Sequence, residues 1–154
     1  MEPLECLLDA VLQVIHLEMW ITNMDTTKQL IHCLQDPLPT WPTTYGGMDV
    51  IVNRVTPSHC DGGGAISFYD HLLRLGQGHD AKLHLDDLKA EFDYPPGTGV
   101  WLTGRGLSHF VPPWTEGERV VIAHYTKDDV HDRLGIPRPS LPTQAGWWSR
   151  YLLK

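Results

Sequence analysis

Between Met48 and Tyr125 the sequence alternates short segments rich in β-branched and apolar residues with turns rich in glycine and proline. β-Branched and apolar residues pack well on a pleated sheet, whereas proline and glycine interrupt strands and favour turns. The alternation therefore predicts about six or seven short antiparallel strands in a sandwich or barrel. The predicted strands are Met48–Val55, Phe68–Leu75 (where periodicity would also allow a helix), Ala81–Leu85, Ala90–Tyr94, Gly99–Leu102, His109–Val111 and Arg119–Tyr125.

Helical patterns lie on both sides of this β-rich run. Residues 4–20 place apolar side chains at helical spacing, and a second helix is predicted over Thr26–Leu34, after the possible cap Asp25. The proline- and glycine-rich stretch Asp36–Gly47 is predicted to be a loop. Lys127–Leu134 predicts a short helix, and the proline-containing tail after it is expected to be irregular.

The chain is predicted to be a single domain of the α+β class, mainly β with flanking helices. Its 154 residues, 42% apolar and 20% charged, are typical of one globular domain that needs no disulfides. The expected organisation is helical support and a loop over residues 1–45, a β core over 46–126, and a short helix and tail over 127–154.

Composition also restricts compartment and partners. Three cysteines without a CxxC pair, and no cleavable apolar leader, predict an intracellular protein with reduced thiols. The longest apolar stretch, Leu7–Leu17, is interrupted by polar residues and too short to span a bilayer, so no membrane partner is expected. We expect a monomer. The formal charge of −7 disfavours nucleic acid, because phosphate binding needs clustered lysine and arginine.

Two side chains with metal-binding chemistry follow the first predicted strand, in His59-Cys60-Asp61. In an extended segment, residues two apart project to the same side, so an imidazole and a carboxylate can bind one cation together. A histidine from a distant strand, His109, would complete a facial triad and leave open positions on Fe(II) for a keto acid and O₂. A closed structural zinc site would need a fourth protein ligand.

Spacing supports His109 as the distal ligand. It follows His59 by 50 residues. This length accommodates several short strands, after which the chain of a sandwich can return to the sheet edge where His59 lies. Arg119 follows His109 by 10 residues, and an arginine near the metal can bind the far carboxylate of a dicarboxylate through two hydrogen bonds. This pattern predicts 2-oxoglutarate as the co-substrate.

A second pair with the same spacing, His84 and Asp86, leaves an alternative open. It would combine with His124 and with Arg133 as the anion-binding residue. That assignment places the arginine in a predicted surface helix and both first ligands in a half-exposed strand, where solvated side chains are expected. Spacing therefore favours the first pair.

Several motifs occur in order between residues 46 and 135. They are Val52–Asp61 (VNRVTPSHCD), Phe68–Asp70 (FYD), Tyr94–Thr98 (YPPGT), Leu107–Phe110 (LSHF), Gly117–Val120 (GERV) and His131–Gly135 (HDRLG). Together they resemble the fungal Tet-like 2-oxoglutarate/Fe(II) oxygenases, the TET/JBP-type proteins of mushroom-forming fungi. Several motifs in the right order and at the right spacing are more specific than any one of them.

The resemblance implies a double-stranded β-helix, or jelly-roll, core. It matches His59, Asp61 and His109 to the iron ligands and Arg119 to the residue that binds 2-oxoglutarate, and Asn53 falls where a co-substrate or support contact is expected. The implied reaction is a dioxygenase oxidation of the methyl group of a modified nucleobase, with Fe(II), 2-oxoglutarate and O₂. By the same resemblance 5-methylcytosine is the first candidate and N6-methyladenine the second, in DNA or else RNA. A DNA substrate would imply a nuclear protein, and any other a cytoplasmic one.

Tyr69 and Trp114 are the candidates for stacking on such a base, although aromatic residues near strands more often belong to the core. Two other functions stay open. The acidic charge favours an oxygenase that hydroxylates a protein side chain or a small molecule, and expanded families also contain catalytically inactive binding members. The complete triad with Arg119 argues against the inactive member.

Overall fold

A computed structural model of the chain describes residues 2–34 and 41–151. They form two compact units. One unit is Gly47–Asp128, and the other combines the described parts of Met1–Gly46 and Asp129–Lys154. The assignment of residues 1–154 to a single oxygenase domain stays a prediction.

The unit Gly47–Asp128 contains eight strands in two four-stranded sheets. The strands are β1 (Gly47–Val52), β2 (Thr56–His59), β3 (Asp70–Gln77), β4 (Lys82–Leu85), β5 (Ala90–Asp93), β6 (Gly99–Leu102), β7 (His109–Val111) and β8 (Glu118–Tyr125). The first sheet has the order β1-β8-β3-β6 and the second has the order β2-β7-β4-β5. All neighbouring strands are antiparallel. With the helices, these sheets confirm the predicted α+β class, mainly β.

Side chains from both sheets form one apolar core. Leu102 on β6 of the first sheet, and Leu83 and Val111 on β4 and β7 of the second, are each no more than 5% exposed. Burying each of these side chains contributes about 1.5–3 kcal/mol relative to leaving it in water. The cluster also contains Ala81, Leu85 and Tyr94, with Leu72, Ala90, Val100, Leu107 and Trp114 packed against it.

The start of this unit differs from the prediction. The predicted strand Met48–Val55 ends at Val52, because Asn53 adopts the left-handed conformation with φ of 49° and interrupts the ladder. Thr56–His59, for which the sequence predicted no strand, is a strand of its own. Pro57 is tolerated there because β2 is an edge strand. The remaining predicted strands agree with the observed ones to within 2 residues at each end.

Helices precede and follow the strands: α1 (Glu2–Ile15), α2 (Leu17–Leu34), α3 (Asp128–Leu134) and α4 (Gln144–Tyr151). The predicted break at Asp25 is wrong, since this residue lies inside α2. The break lies at His16, whose Nδ1 accepts a hydrogen bond from Met19 N at 3.4 Å, as a capping side chain does. A ring nitrogen in this role is not among the usual sequence signals for a helix start.

The C-terminal part also corrects a prediction, because α4 occupies a tail that was expected to be irregular. The Thr143 hydroxyl accepts a hydrogen bond from Gly146 N at 3.1 Å and so caps the helix. Of the predicted loop Asp36–Gly47, residues 36–40 lie outside the described residues. Among the helices of residues 2–34 and 41–151, none is long and apolar enough to cross a membrane.

Candidate metal centre

The three predicted ligands come together on two neighbouring strands of the second sheet. β2 ends at His59, β7 begins at His109, and these residues face each other across the antiparallel pair. Their ring centroids are 4.5 Å apart. Asp61 follows β2 by two residues, and the ligand atoms of the three side chains all lie within 4.8 Å of one another.

Both histidines present the same ring nitrogen to this cluster. His59 Nδ1 lies 2.8 Å from Pro57 O, and His109 Nδ1 lies 2.9 Å from Leu107 O. A carbonyl can only accept a hydrogen bond, so each Nδ1 carries the proton and each Nε2 keeps a lone pair. The two Nε2 atoms lie 3.3 Å and 3.7 Å from the Asp61 carboxylate oxygens. The donor atoms therefore converge, with ring orientation set by the backbone, as in sites built to hold a metal.

This donor set fits a divalent metal such as Fe(II). Two imidazole nitrogens and one carboxylate form a facial arrangement that leaves the other coordination positions open. The side chains of His59 and Asp61 are 36% and 41% exposed, and that of His109 is 8% exposed, so solvent and small molecules can reach the cluster. Within residues 2–34 and 41–151, no other group of three histidine, cysteine or acidic side chains has this geometry.

Gly104 leaves the space that the Asp61 carboxylate occupies. Its carbonyl accepts a hydrogen bond from Asp61 N at 2.8 Å. A Cβ atom at Gly104 would collide with the carboxylate oxygens of both Asp61 and Asp70. The glycine had no assigned role in the sequence, because the contact depends on a loop 43 residues away from Asp61.

Gly104→Ala is expected to weaken metal binding about 10-fold or more, because the new methyl group displaces the Asp61 carboxylate. Calorimetric titration with Mn(II) measures the effect. Gly46→Ala is the matched control, since a Cβ there meets nothing within 4 Å and metal affinity should not change. Equal affinities for the two variants would contradict the assigned role of Gly104.

Asp70 is a second carboxyl group beside Asp61. The pKa of Asp70 is raised to about 7, first because the carboxyl group is buried and second because the negative charge of Asp61 lies near it, while a hydrogen bond from the Gly104 backbone and the charge of Lys127 oppose the shift. Asp70 therefore holds a proton for part of the time near neutral pH. Its protonation limits the repulsion that a second full negative charge would exert on Asp61.

A cavity of about 300 Å³ contains the cluster. The three ligand side chains line it together with Arg119. Asp49, Arg54, Tyr125 and Lys127 supply further polar groups, and Leu72, Leu83, Val111 and Val121 supply apolar ones. The metal ligands and a cation thus share one partly apolar space, as is typical of small-molecule sites.

Arg119 is a buried cation without an acidic partner in the described part of the chain. Its side chain lines the cavity, and the residue is only 4% exposed. Nη1 donates to Arg54 O at 3.0 Å, the guanidinium lies 5.9 Å from the Trp114 ring centroid, and the buried Nε has no acceptor. Burial lowers the pKa of Arg119. A buried cation is costly unless an anion compensates it, so this guanidinium has the chemistry of an anion site.

Asn53 holds the backbone of Arg119. Its side-chain oxygen accepts a hydrogen bond from Arg119 N at 2.9 Å, and its own N–H donates to Arg119 O at 2.8 Å. Asn53 is not among the residues that line the cavity. The structure thus gives Asn53 a support contact, and its predicted contact with a co-substrate stays a prediction.

The two candidate stacking residues lie outside the cavity lining. Trp114 packs against the apolar core, and its ring faces Arg119. Tyr69 is half-buried, and burial raises its pKa. Contact of either residue with a substrate stays a prediction.

The alternative pair does not form a cluster of ligands. His84 lies 3.6 Å from a Glu91 carboxylate oxygen and stacks on Phe110, whereas Asp86 accepts a hydrogen bond from Ser58. His124 is fully buried, and its Nδ1 lies 3.2 Å from Nδ1 of His71. Arg133, the remaining member, lies in α3. His84, Asp86 and His124 thus have partners of their own, so the geometry favours His59 and Asp61.

Comparison with known proteins gives a relationship of fold. No protein-family model matches the chain, and no curated protein matches it. A solved structure, NgTET1 in complex with 5mC DNA, is similar with a TM-score of 0.52 and 15% sequence identity. The match covers 76% of this chain and 51% of that one, so the chain spans about half the length of the structure that it matches. At this identity the similarity supports a distant relationship of fold.

Proposed function

We propose that the chain is an Fe(II)- and 2-oxoglutarate-dependent dioxygenase built on a double-stranded β-helix. The observation that carries the proposal is a single cavity that holds the His59, Asp61 and His109 cluster together with buried Arg119. A facial triad alone suits several metal chemistries, and a buried arginine alone suits many anions. A dicarboxylate that binds a metal at one end and a guanidinium at the other needs both.

The triad holds the metal through two imidazole Nε2 atoms and the Asp61 carboxylate. The carbonyl contacts of the two Nδ1 atoms keep the rings in place, and Asp61 offsets part of the cation's charge. Bound iron supplies, with 2-oxoglutarate and O₂, the oxidising power needed to hydroxylate a C–H bond.

Arg119 binds the distal carboxylate of 2-oxoglutarate. Because Nη1 donates to Arg54 O and the buried Nε has no acceptor among the described residues, Nε is left to donate a hydrogen bond to that carboxylate. Leu83, Val111 and Val121 line the same cavity and exclude water around the carbon chain. Low polarity strengthens the ion pair relative to the same pair in water.

The substrate class in this proposal is the methyl group of a modified nucleobase, 5-methylcytosine first and N6-methyladenine second, with DNA favoured over RNA. Its support is the ordered motif resemblance and the similarity of fold to NgTET1, which was solved with 5mC DNA. The charge of −7 favours a second candidate, a 2-oxoglutarate oxygenase acting on a protein side chain or a small molecule.

Anaerobic titration of the metal-free protein with Fe(II) and then 2-oxoglutarate tests the proposed chemistry. A visible metal-to-ligand charge-transfer band is expected only when both are present. If the protein binds neither component, the enzyme assignment is wrong and a binding protein without catalysis is the better description. Succinate release with methylated oligonucleotides then separates the two candidate substrates: hydroxymethyl or formyl products support the nucleobase, and inertness toward DNA and RNA supports the second candidate.

A further inference from the structure

We propose that Ser58, Ser108 and the carboxylates of Asp86 and Asp87 position the two metal-binding histidines from the opposite face of the sheet. The inference rests on the proposed metal site and extends it to residues that do not touch the metal. It also gives a role to Asp86, the carboxylate of the second histidine–aspartate pair with one residue between its members (an HxD pair), His84 and Asp86.

Each serine immediately precedes one of the ligands. Neighbouring side chains of an extended chain project to opposite sides, and neither serine is among the residues that line the cavity with His59 and His109, so both serines lie on the outer face. The Ser58 and Ser108 hydroxyl oxygens are 2.8 Å apart. A hydrogen bond between side chains therefore joins β2 to β7 directly behind the ligands.

One turn holds both serines. Asp86 accepts a hydrogen bond from the Ser58 hydroxyl, and Asp86 N donates to Ser108 O at 3.0 Å. Asp87 accepts a hydrogen bond from Ser108 N at 2.7 Å. Lys89, with φ of 51°, closes the turn by donating its N–H to Asp86 O at 3.1 Å. The turn thus ties the two strands together at the residue before each ligand.

The strand pair needs this connection because its ladder is irregular at the ligands. Thr56 pairs with Val111 and His59 pairs with His109, with a shift in register between the two pairs. A regular ladder would set the distance between the histidines through backbone hydrogen bonds alone. The shift interrupts the ladder just before His59, and the serine and aspartate hydrogen bonds span the interruption.

A shift of the β2 or β7 backbone would move a histidine ring and so change a metal–ligand distance. The Nδ1 of His59 and of His109 is hydrogen-bonded to Pro57 O and Leu107 O, so each ring follows the backbone of its own strand. Metal–ligand distances are tolerated within about 0.2 Å, so a small movement of either strand weakens binding. Ser58, Ser108, Asp86 and Asp87 are positioning residues in this sense.

Calorimetric titration of the full chain with Mn(II), which resists air oxidation, tests the proposal without turnover. Asp86→Ala and Ser58→Ala are expected to lower Mn(II) affinity about 10-fold or more. Asp86→Asn and Ser58→Thr keep an acceptor oxygen and a hydroxyl, so they should restore affinity to within about 3-fold of the wild type. Rescue by these conservative variants separates positioning from a general loss of packing.

Asp80→Ala is the matched control. Asp80 accepts two hydrogen bonds from Thr115, at 3.0 Å and 2.8 Å, in the same unit but on a loop without metal ligands. The Asp80→Ala substitution should lower thermal stability as much as Asp86→Ala does, while Mn(II) affinity stays unchanged. Equal loss of affinity in both variants, or no loss in Asp86→Ala, would overturn the positioning role alone. A wild-type chain that binds no Mn(II) would overturn the proposed metal site itself.

Discussion

His59→Ala is expected to abolish the Fe(II)/2-oxoglutarate absorption band and any turnover that depends on it. The substitution removes one of three protein ligands, and the remaining pair, Asp61 and His109, cannot hold the facial geometry. Metal affinity should fall more than about 100-fold, beyond the loss that follows from removing a residue that only supports a ligand. Mn(II) titration and the anaerobic absorption spectrum measure the two effects independently.

The second HxD pair provides the control for this prediction. His84→Ala removes a histidine with the same local sequence pattern from the same sheet, but its ring pairs with Glu91 and stacks on Phe110. Metal affinity and the absorption band should persist in that variant. If His84→Ala lost both and His59→Ala kept both, the metal would be bound by the other pair.

Arg119→Met is expected to weaken 2-oxoglutarate binding by about 100-fold or more while metal binding persists. Truncating one member of a buried, hydrogen-bonded ion pair costs about 2–5 kcal/mol, and about 1.4 kcal/mol corresponds to a factor of ten in affinity. Methionine fills similar space without a charge that needs compensation. The free energy of unfolding without ligand should therefore stay level or rise, because a buried guanidinium with no acidic partner among the described residues is itself costly.

Titration of the metal-loaded variant with 2-oxoglutarate measures this loss, and thermal unfolding measures the stability. Lys127→Met is the matched control, because this lysine also lines the cavity but is exposed and lies 4.6 Å from the Tyr125 ring centroid. It should leave 2-oxoglutarate affinity within about 3-fold of the wild type, since exposed charges contribute little. Equal losses in the two variants would mean that the cavity's overall charge, and not the Arg119 guanidinium, attracts the anion.

Local sequence patterns predicted most of the sheet-forming segments and the three candidate ligands that the structure brings together. β-branched residues between glycine and proline turns indicate strands because packing on a sheet and turn formation depend on nearby residues. The HxD spacing also acts locally, since alternation along an extended chain brings His59 and Asp61 to one side. His109 was predicted from its distance of 50 residues, which allows the intervening short strands to bring the chain back beside His59. The observed pairing of His59 with His109 agrees with that expectation.

The features that the sequence left undecided depend on residues far apart in the chain. Two HxD pairs look alike locally, and only folding brings one of them to a histidine and the other to Glu91 and Ser58. Two local features were missed for a different reason: the cap at His16 uses a ring nitrogen, which is not a usual capping signal, and α4 is a short segment that follows several prolines.

The sequence by itself determined the kinds of groups available: imidazoles, carboxylates and an arginine at spacings that strands can bring together. Only the tertiary structure decided which of these groups converge, that Arg119 lines the same cavity, buried and with no acidic partner among the described residues, and that Gly104 leaves room for the Asp61 carboxylate. The physical reason is the distance along the chain over which each kind of interaction acts. Alternation and turn formation act over a few residues, whereas burial, charge compensation and metal geometry depend on strand register and on contacts between distant segments.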